Sequence, residues 1–175
     1  MADNNLLHAV TLRHLSIDDF PVVLEWSKDE EFCLSNGWET YRNPDELFSW
    51  WEYCVRSSSD DFIRLGIDYK DTLVGYVDMV CHDGQTGELG IAIGNRSLWG
   101  KGIGIVASEA MMAYVTKEQG ITSFIAETHE SNQRARRFLE KLGFIETSRI
   151  GCEEYKGAAS RLLQYKLRNK SGKPI

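Results

Sequence analysis

The turn Trp99-Gly100-Lys101-Gly102-Ile103-Gly104 has the residue types and spacing to hold an anion. Its glycines let the backbone approach a ligand with no Cβ in the way. Before it, Leu89, Ile91 and Ile93 alternate with Glu88, Gly90 and Ala92, a strand pattern. After it, Ile103, Val106, Ala107, Ala110, Met111 and Tyr114 recur with helical period. The first N–H groups of a helix have no intrahelical partner, and the helix dipole is positive there, so strand, glycine turn and helix together suit a phosphate. Two common phosphate motifs do not match. A P-loop needs Gly-Lys followed by Ser or Thr, and Gly102 follows Lys101. A dinucleotide fingerprint needs a wider last glycine spacing, early in a βαβ unit.

A third pattern does match. The turn resembles the pyrophosphate loop of the GCN5-related N-acetyltransferases, Gln/Arg-x-x-Gly-x-Gly/Ala, with Trp99 in the Gln/Arg place. Its Leu-Trp-Gly-Lys-Gly form is similar to the branch containing the ribosomal-protein N-terminal acetyltransferases. Further on, Asn132-Gln-Arg-Ala135-Arg-Arg-Phe138-Leu139-Glu140-Lys141-Leu142-Gly143-Phe144 resembles the family's N-x-x-A/S-x-x-x-x-E-K-x-G-F segment. Two pieces in order, separated by a strand-like run, make a specific resemblance. It extends more loosely over residues 8–168.

The resemblance implies a mixed α/β fold, a mostly antiparallel central sheet flanked by helices, in one N-acetyltransferase domain over 8–168 with flexible tails at 1–7 and 169–175. It implies acetyl-CoA as cosubstrate, with pantetheine along Leu89, Ile91, Ala92 and Ile93. The pyrophosphate would sit on Trp99, Gly100, Lys101, Gly102, Ile103 and Gly104. Asn132 would contact the pantetheine side, and Arg134, Arg136, Arg137 and Lys141 would face the adenosine phosphates, for which the guanidinium fork is suited. The acceptor is a primary amine on a small cationic molecule or a protein N-terminus. Its site falls between the first two strands, where Trp38, Glu39, Trp50, Trp51 and Glu52 combine aromatic rings with carboxylates, and near Tyr155. Direct attack on a thioester needs a base and an oxyanion stabiliser. Glu88 is the first choice as base, with Glu127 and His129 on the next strand as alternatives. A backbone N–H near Ile91 or Ala92 is the stabiliser. Many family members carry a tyrosine acid where this chain has Leu139, which leaves thiolate protonation to solvent, Ser131 or Tyr155.

Composition bounds the alternatives. A chain of 175 residues with 42% hydrophobic and 26% charged residues suits one globular domain. A net charge of −6 disfavours a general nucleic-acid binder and is compatible with a cationic substrate. No apolar run reaches the roughly eighteen residues of a membrane span, and the N-terminus reads unlike a signal peptide, so a cytoplasmic protein is the default expectation. Cys33, Cys54, Cys81 and Cys152 lack metal-ligand spacing, so no metal is expected. A homodimer is left open. An acyl-CoA-binding module with little catalysis and a partner-binding domain using the aromatic helix 44–55 remain as alternatives.

The elements that must position these groups follow in order. Ala9–Leu15 reads as a strand, Ser16 starts a helix, and 29–42 is irregular with an Asn36-Gly37 turn. Asn43-Pro44-Asp45-Glu46 is a helix start. Strands follow at 62–69, 73–82, 88–94, 121–129, 144–150 and 161–167. Helices run from the glycine turn to Glu118 and from Asn132 to Leu142.

Overall fold

The computed structural model describes residues 4–57 and 59–167. Its elements in chain order are α1 Asn4–Ala9, β1 Val10–Arg13, a 3-10 turn Ile17–Asp19, α2 Phe20–Trp26, α3 Glu30–Asn36 and α4 Pro44–Arg56. Then come β2 Phe62–Tyr69, β3 Thr72–Cys81, β4 Thr86–Ile93, a 3-10 turn Arg96–Leu98 and α5 Ile103–Gln119. The chain continues with β5 Ser123–His129, α6 Gln133–Leu142, β6 Phe144–Ser148, β7 Cys152–Tyr155 and β8 Ala158–Leu167. The strands form a sheet in the order β1-β2-β3-β4-β5-β8-β6, with β7 pairing β8. All pairs are antiparallel except β4 with β5.

Local chemistry explains most boundaries. Asn43 Oδ1 accepts from the N–H groups of Asp45 and Glu46, Pro44 takes the first turn, and α4 begins there as the sequence suggests. Asn132 Oδ1 caps α6 by accepting from Ala135 N at 3.1 Å, and Gly143 at φ 92 ends it. Three elements depart from the sequence reading. Asn4–Ala9 is a helix rather than tail and strand start; residues 1–3 and the tail at 169–175 lie outside the described residues. The segment read as irregular holds α3, capped by Asp29 and ended by Gly37 in the left-handed region. The connection before the last strand holds β7.

Two apolar layers sandwich the sheet. Under one face, α5 and α6 bury Ile103, Val106, Met111, Val115 and Leu139 against Ile67, Val77, Met79, Leu89, Phe124 and Leu163. Over the other face, α2, α3 and α4 bury Val23, Trp26, Phe32 and Trp51 against Leu73, Tyr76 and Ala92. Gly75 and Gly94 make close approaches possible: a Cβ at Gly75 would lie 2.2 Å from Ala92 O, and one at Gly94 would lie 2.2 Å from Cδ2 and Cε2 of the Trp26 ring. Trp51 is 0% exposed and its indole donates to Ser16 O at 2.9 Å, so it is a core residue and not a wall of an acceptor pocket. Trp51→Ala should cost about 3–5 kcal/mol in a denaturant melt, the range for emptying a large aromatic site.

Candidate active site

The glycine turn is held to the end of β4 by the Trp99 indole, which donates to Ile93 O at 2.7 Å. Gly100 and Gly102 take φ of 76° and 88°, a region that disfavours any side chain. Gly102 is the N-cap of α5, and no side chain caps that 17-residue helix. The first N–H groups of α5 are therefore left for a ligand. A Cβ on Gly104 would lie 3.2 Å from the Phe138 ring, so this glycine lets α5 and α6 pack closely. Lys101 is exposed, whereas the Ile103 side chain is core and offers only its backbone. Arg134 lays its guanidinium 3.2 Å from the centre of the Trp99 ring, and burial pushes its pKa down. Arg137 and Lys141 are exposed on α6. Arg136 turns back to donate to Glu130 O at 3.2 Å.

The two central strands part company. β4 and β5 pair only at Thr86–Glu88 with Ser123–Ile125. Beyond that, β5 pairs only β8 while β4 stays with β3, so the β5-facing edge of Leu89–Ile93 opens as one wall of a V. Leu89 turns its side chain into the α5–α6 core, with Ile91 and Ile93 packed against it, and Ala92 turns into the α2–α4 core, leaving their backbone to line the gap. At about 3.3 Å per residue, Gly94 to Glu88 spans roughly 20 Å, from the glycine turn to the apex.

Glu88 is the last residue of β4 paired to β5 and stands at that apex, on the same face as Gly90 and Ala92. Its Oε2 lies 2.9 Å from His82 Nε2. Glu127 and His129 share that face but are otherwise engaged. Glu127 Oε2 accepts from Gln164 Nε2 at 2.7 Å. The His129 ring stacks on Tyr155 with centroids 4.7 Å apart, and its Nδ1 is buried with no hydrogen-bond partner among the described residues. A cavity of about 390 Å³ joins Trp99, Asn132, Arg134 and Tyr155 to Glu31 and Ser35 of α3. Lys156 and Glu31 form an ion pair across it. Leu139 is 4% exposed in the α5–α6 core, so its position offers no acid. Ser131 Oγ is hydrogen-bonded to Ser160 Oγ at 2.8 Å.

Of the aromatic groups expected to meet an acceptor, Trp50 lies against a cation of the chain's own, and Trp38 joins the same cluster through Tyr76. Arg64 stands 4.5 Å from the Tyr76 ring and 5.6 Å from Trp50. It makes two 2.7 Å hydrogen bonds to Asp78. Trp38 Nε1 donates to the Tyr76 hydroxyl at 3.1 Å, and the Trp38 and Trp50 rings meet edge-on at 5.1 Å. Burial pushes the Tyr76 phenol up to about 12, so it stays protonated. Burial also leaves the Asp78 carboxyl raised, with the Arg64 bonds offsetting only part of that rise. Asp78 faces Gly90 across β3 and β4, so this cluster borders the lane that ends at Glu88. Glu39 is exposed, and Glu52 pairs with Arg56 along α4. Sequence reasoning missed Arg64, Asp78 and Tyr76. Among the described residues, no group of His, Cys, Asp and Glu is arranged to hold a metal ion.

Residues 9–145 match the model of the acetyltransferase (GNAT) domain. The chain belongs to this family. As a GNAT protein it is an acetyl-CoA-dependent N-acetyltransferase with the mixed α/β fold of a central sheet flanked by helices. Solved structures share that fold. The microcin C7 self-immunity acetyltransferase MccE, solved with acetyl-CoA and AMP, superposes with a TM-score of 0.80 at 18% identity, over 94% of this chain and 95% of that one. The spermidine N-acetyltransferase from Vibrio cholerae, solved with CoA and spermine, gives 0.75 at 19% identity, over 91% and 95%. The ribosomal L7/L12 alpha-N-protein acetyltransferase RimL gives 0.72 at 15% identity, over 95% and 91%.

Proposed function

We propose that this GNAT protein transfers the acetyl group of acetyl-CoA to a primary amine on a small cationic molecule or a protein N-terminus, by direct attack in a ternary complex. The observation that carries the reading is the position of Glu88, a half-exposed carboxylate at the apex of the V that begins at an uncapped helix N-terminus. The neighbours' acceptors are of both kinds, spermidine for the Vibrio cholerae enzyme and a ribosomal protein for RimL. Glu88 and Glu127 beside the lane favour an ammonium on approach.

The residues fit the cosubstrate. The turn at Gly100 and Gly102 is a cradle that side chains would strain, and α5 presents unpaired donors there. These N–H groups would hold the pyrophosphate, the Leu89–Ile93 backbone the pantetheine arm, and Arg137 and Lys141 the adenosine phosphates. Asn132 spends its carbonyl on the α6 cap, which leaves its amide NH₂ for the pantetheine side. Acetyl-CoA supplies an activated acyl group. Glu88 takes the proton that the attacking amine must lose, and an N–H near Ile91 or Ala92 receives the charge developing on the acyl oxygen. With Leu139 in the core and Ser131 tied to Ser160, Tyr155 is the phenol beside the cavity that can protonate the leaving thiolate.

A thiol-release assay with acetyl-CoA against polyamines, aminoglycosides, amino acids and N-terminal peptides tests the reading. Turnover with an amine of either class supports it. Silence throughout, with CoA still raising the melting temperature, would replace it with an acyl-CoA-binding module. Gly102→Ala should raise KM for acetyl-CoA on the order of tenfold and leave the acceptor KM alone. A Cβ there meets Leu6 Cδ2 at 3.0 Å and forces a side chain to φ 88, a strain of roughly 1–2 kcal/mol against the loop geometry.

A further inference from the structure

We propose that His82 is the group through which the proton collected by Glu88 leaves the site, making His82 a positioning residue that acts through Glu88. This rests on the reading of Glu88 as the base. His82 Nε2 and Glu88 Oε2 are 2.9 Å apart, with side chains 44% and 38% exposed. When an acceptor and the thioester fill the V, the cleft side of Glu88 is covered. The carboxylate still has one oxygen on His82, which faces water.

The turn carrying His82 is fixed on both sides. His82 N donates to Thr86 O at 2.9 Å, closing the β3–β4 hairpin. Asp83 Oδ1 accepts from Gln85 N at 3.0 Å and Thr86 N at 2.6 Å. Gln85 O accepts from Thr122 N, which ties the same turn to the start of β5. An exposed histidine is thereby set against the carboxylate by backbone and not by a flexible loop.

The surrounding charges leave this pair as the open route. On β2 and β3, Arg64 and Asp78 satisfy each other. On β5, Glu127 is held by Gln164. Lys166 of β8 lies opposite Ile125, the strand partner of Glu88. Asp83 is occupied by its turn, and Asp61, at the same end of β3 as His82, accepts from Cys81 N through its backbone carbonyl.

The relay balances in protons. The amine N–H bond breaks and the proton binds Glu88. In the resting site His82 Nε2–H donates to the Glu88 carboxylate. Once Glu88 is protonated, exchange through water moves the His82 proton to Nδ1, the Glu88 O–H passes its proton to Nε2, and the Nδ1–H proton goes to water, which returns the resting pair. His82 must be neutral to accept the proton.

The test is the pH profile of kcat and kcat/KM for the wild type, His82→Gln, His82→Ala, Glu88→Gln and the Glu88→Gln/His82→Ala double variant, with melting temperatures alongside. Each His82 variant should keep the wild-type melting temperature and KM for acetyl-CoA. Each should lose about tenfold in kcat, less than loss of the base itself. The acid limb should move to lower pH, added imidazole should restore rate to His82→Ala, and the double variant should be no slower than Glu88→Gln. If Glu88→Gln is slow but the His82 variants keep the wild-type rate and limb, the relay is wrong and the base reading stands. A His82 loss with an unmoved limb and no imidazole rescue also overturns the relay, since it marks a structural role. A Glu88→Gln enzyme as fast as the wild type removes the base and the relay together.

Discussion

Glu88→Gln should lower kcat by about 10²–10⁴-fold, the usual weight of a positioned general base, while the dissociation constant for acetyl-CoA and the melting temperature hold. The amide keeps the shape of the carboxylate and can still bond to His82, so the apex of the V is not rebuilt. What it loses is the ability to take a proton. The side chain is 38% exposed and outside both apolar layers, so folding does not depend on its charge. The loss should shrink as pH rises, because more of the amine then arrives already neutral and needs no base. Steady-state kinetics against pH, with CoA binding measured by calorimetry, reads both halves. An unchanged kcat would sink Glu88 as base. Glu127 would then need release from Gln164, and His129 from its stack on Tyr155, before either could serve.

What the sequence made legible was whatever is encoded locally. The glycine turn, the Asn43 cap and the Asn132–Leu142 helix depend on a few adjacent residues, and these were readable before any tertiary contact was known. α3 carries the same kinds of signal in Asp29 and Gly37. It spans seven residues, too few for a helical period to show against the Asn36-Gly37 turn. β7 hides for the opposite reason: three of its four residues are exposed, so no alternation marks it. In α4 the adjacent Trp50 and Trp51 look equivalent in sequence. Helical geometry turns them about 100° apart, and only Trp51 lies in register with buried Leu47 one turn earlier. The Arg64–Asp78 pair shows what local reading cannot supply. Counting back from the Lys70-Asp71 turn with Tyr69 opposite Thr72 sets Arg64 against Val77. A register shift between Ile67 and Asp68 moves it by one residue onto Asp78. One displaced residue turns an arginine opposite a valine into a bidentate ion pair beneath the acceptor side.

Asp78→Ala should destabilise the fold by about 3–5 kcal/mol, the cost of leaving one member of a buried pair alone. Arg64 and Asp78 side chains are only 16% and 17% exposed, and two 2.7 Å hydrogen bonds are lost at once. No other carboxylate hydrogen-bonds to Arg64 among the described residues. Its remaining contacts are the Cys54 sulfur at 3.3 Å and the faces of Phe62, Tyr76 and Trp50, which cannot replace a full negative charge. The same change loosens the wall beside Gly90, because Tyr76 receives the Trp38 indole and is packed under Arg64. The acceptor KM should therefore rise more than the acetyl-CoA KM, whose proposed pyrophosphate contacts lie at the glycine turn, beyond the end of β4 from Gly90. Replacing both partners with apolar residues in Arg64→Met/Asp78→Leu should recover most of the stability, since the unpaired charge is what costs it. The acceptor KM should stay raised in that double variant. Chemical denaturation and initial-rate kinetics on the three proteins separate the two effects. Recovery of stability without recovery of acceptor binding would show that the pair shapes the acceptor side as well as filling it, whereas recovery of both would reduce Arg64 and Asp78 to packing.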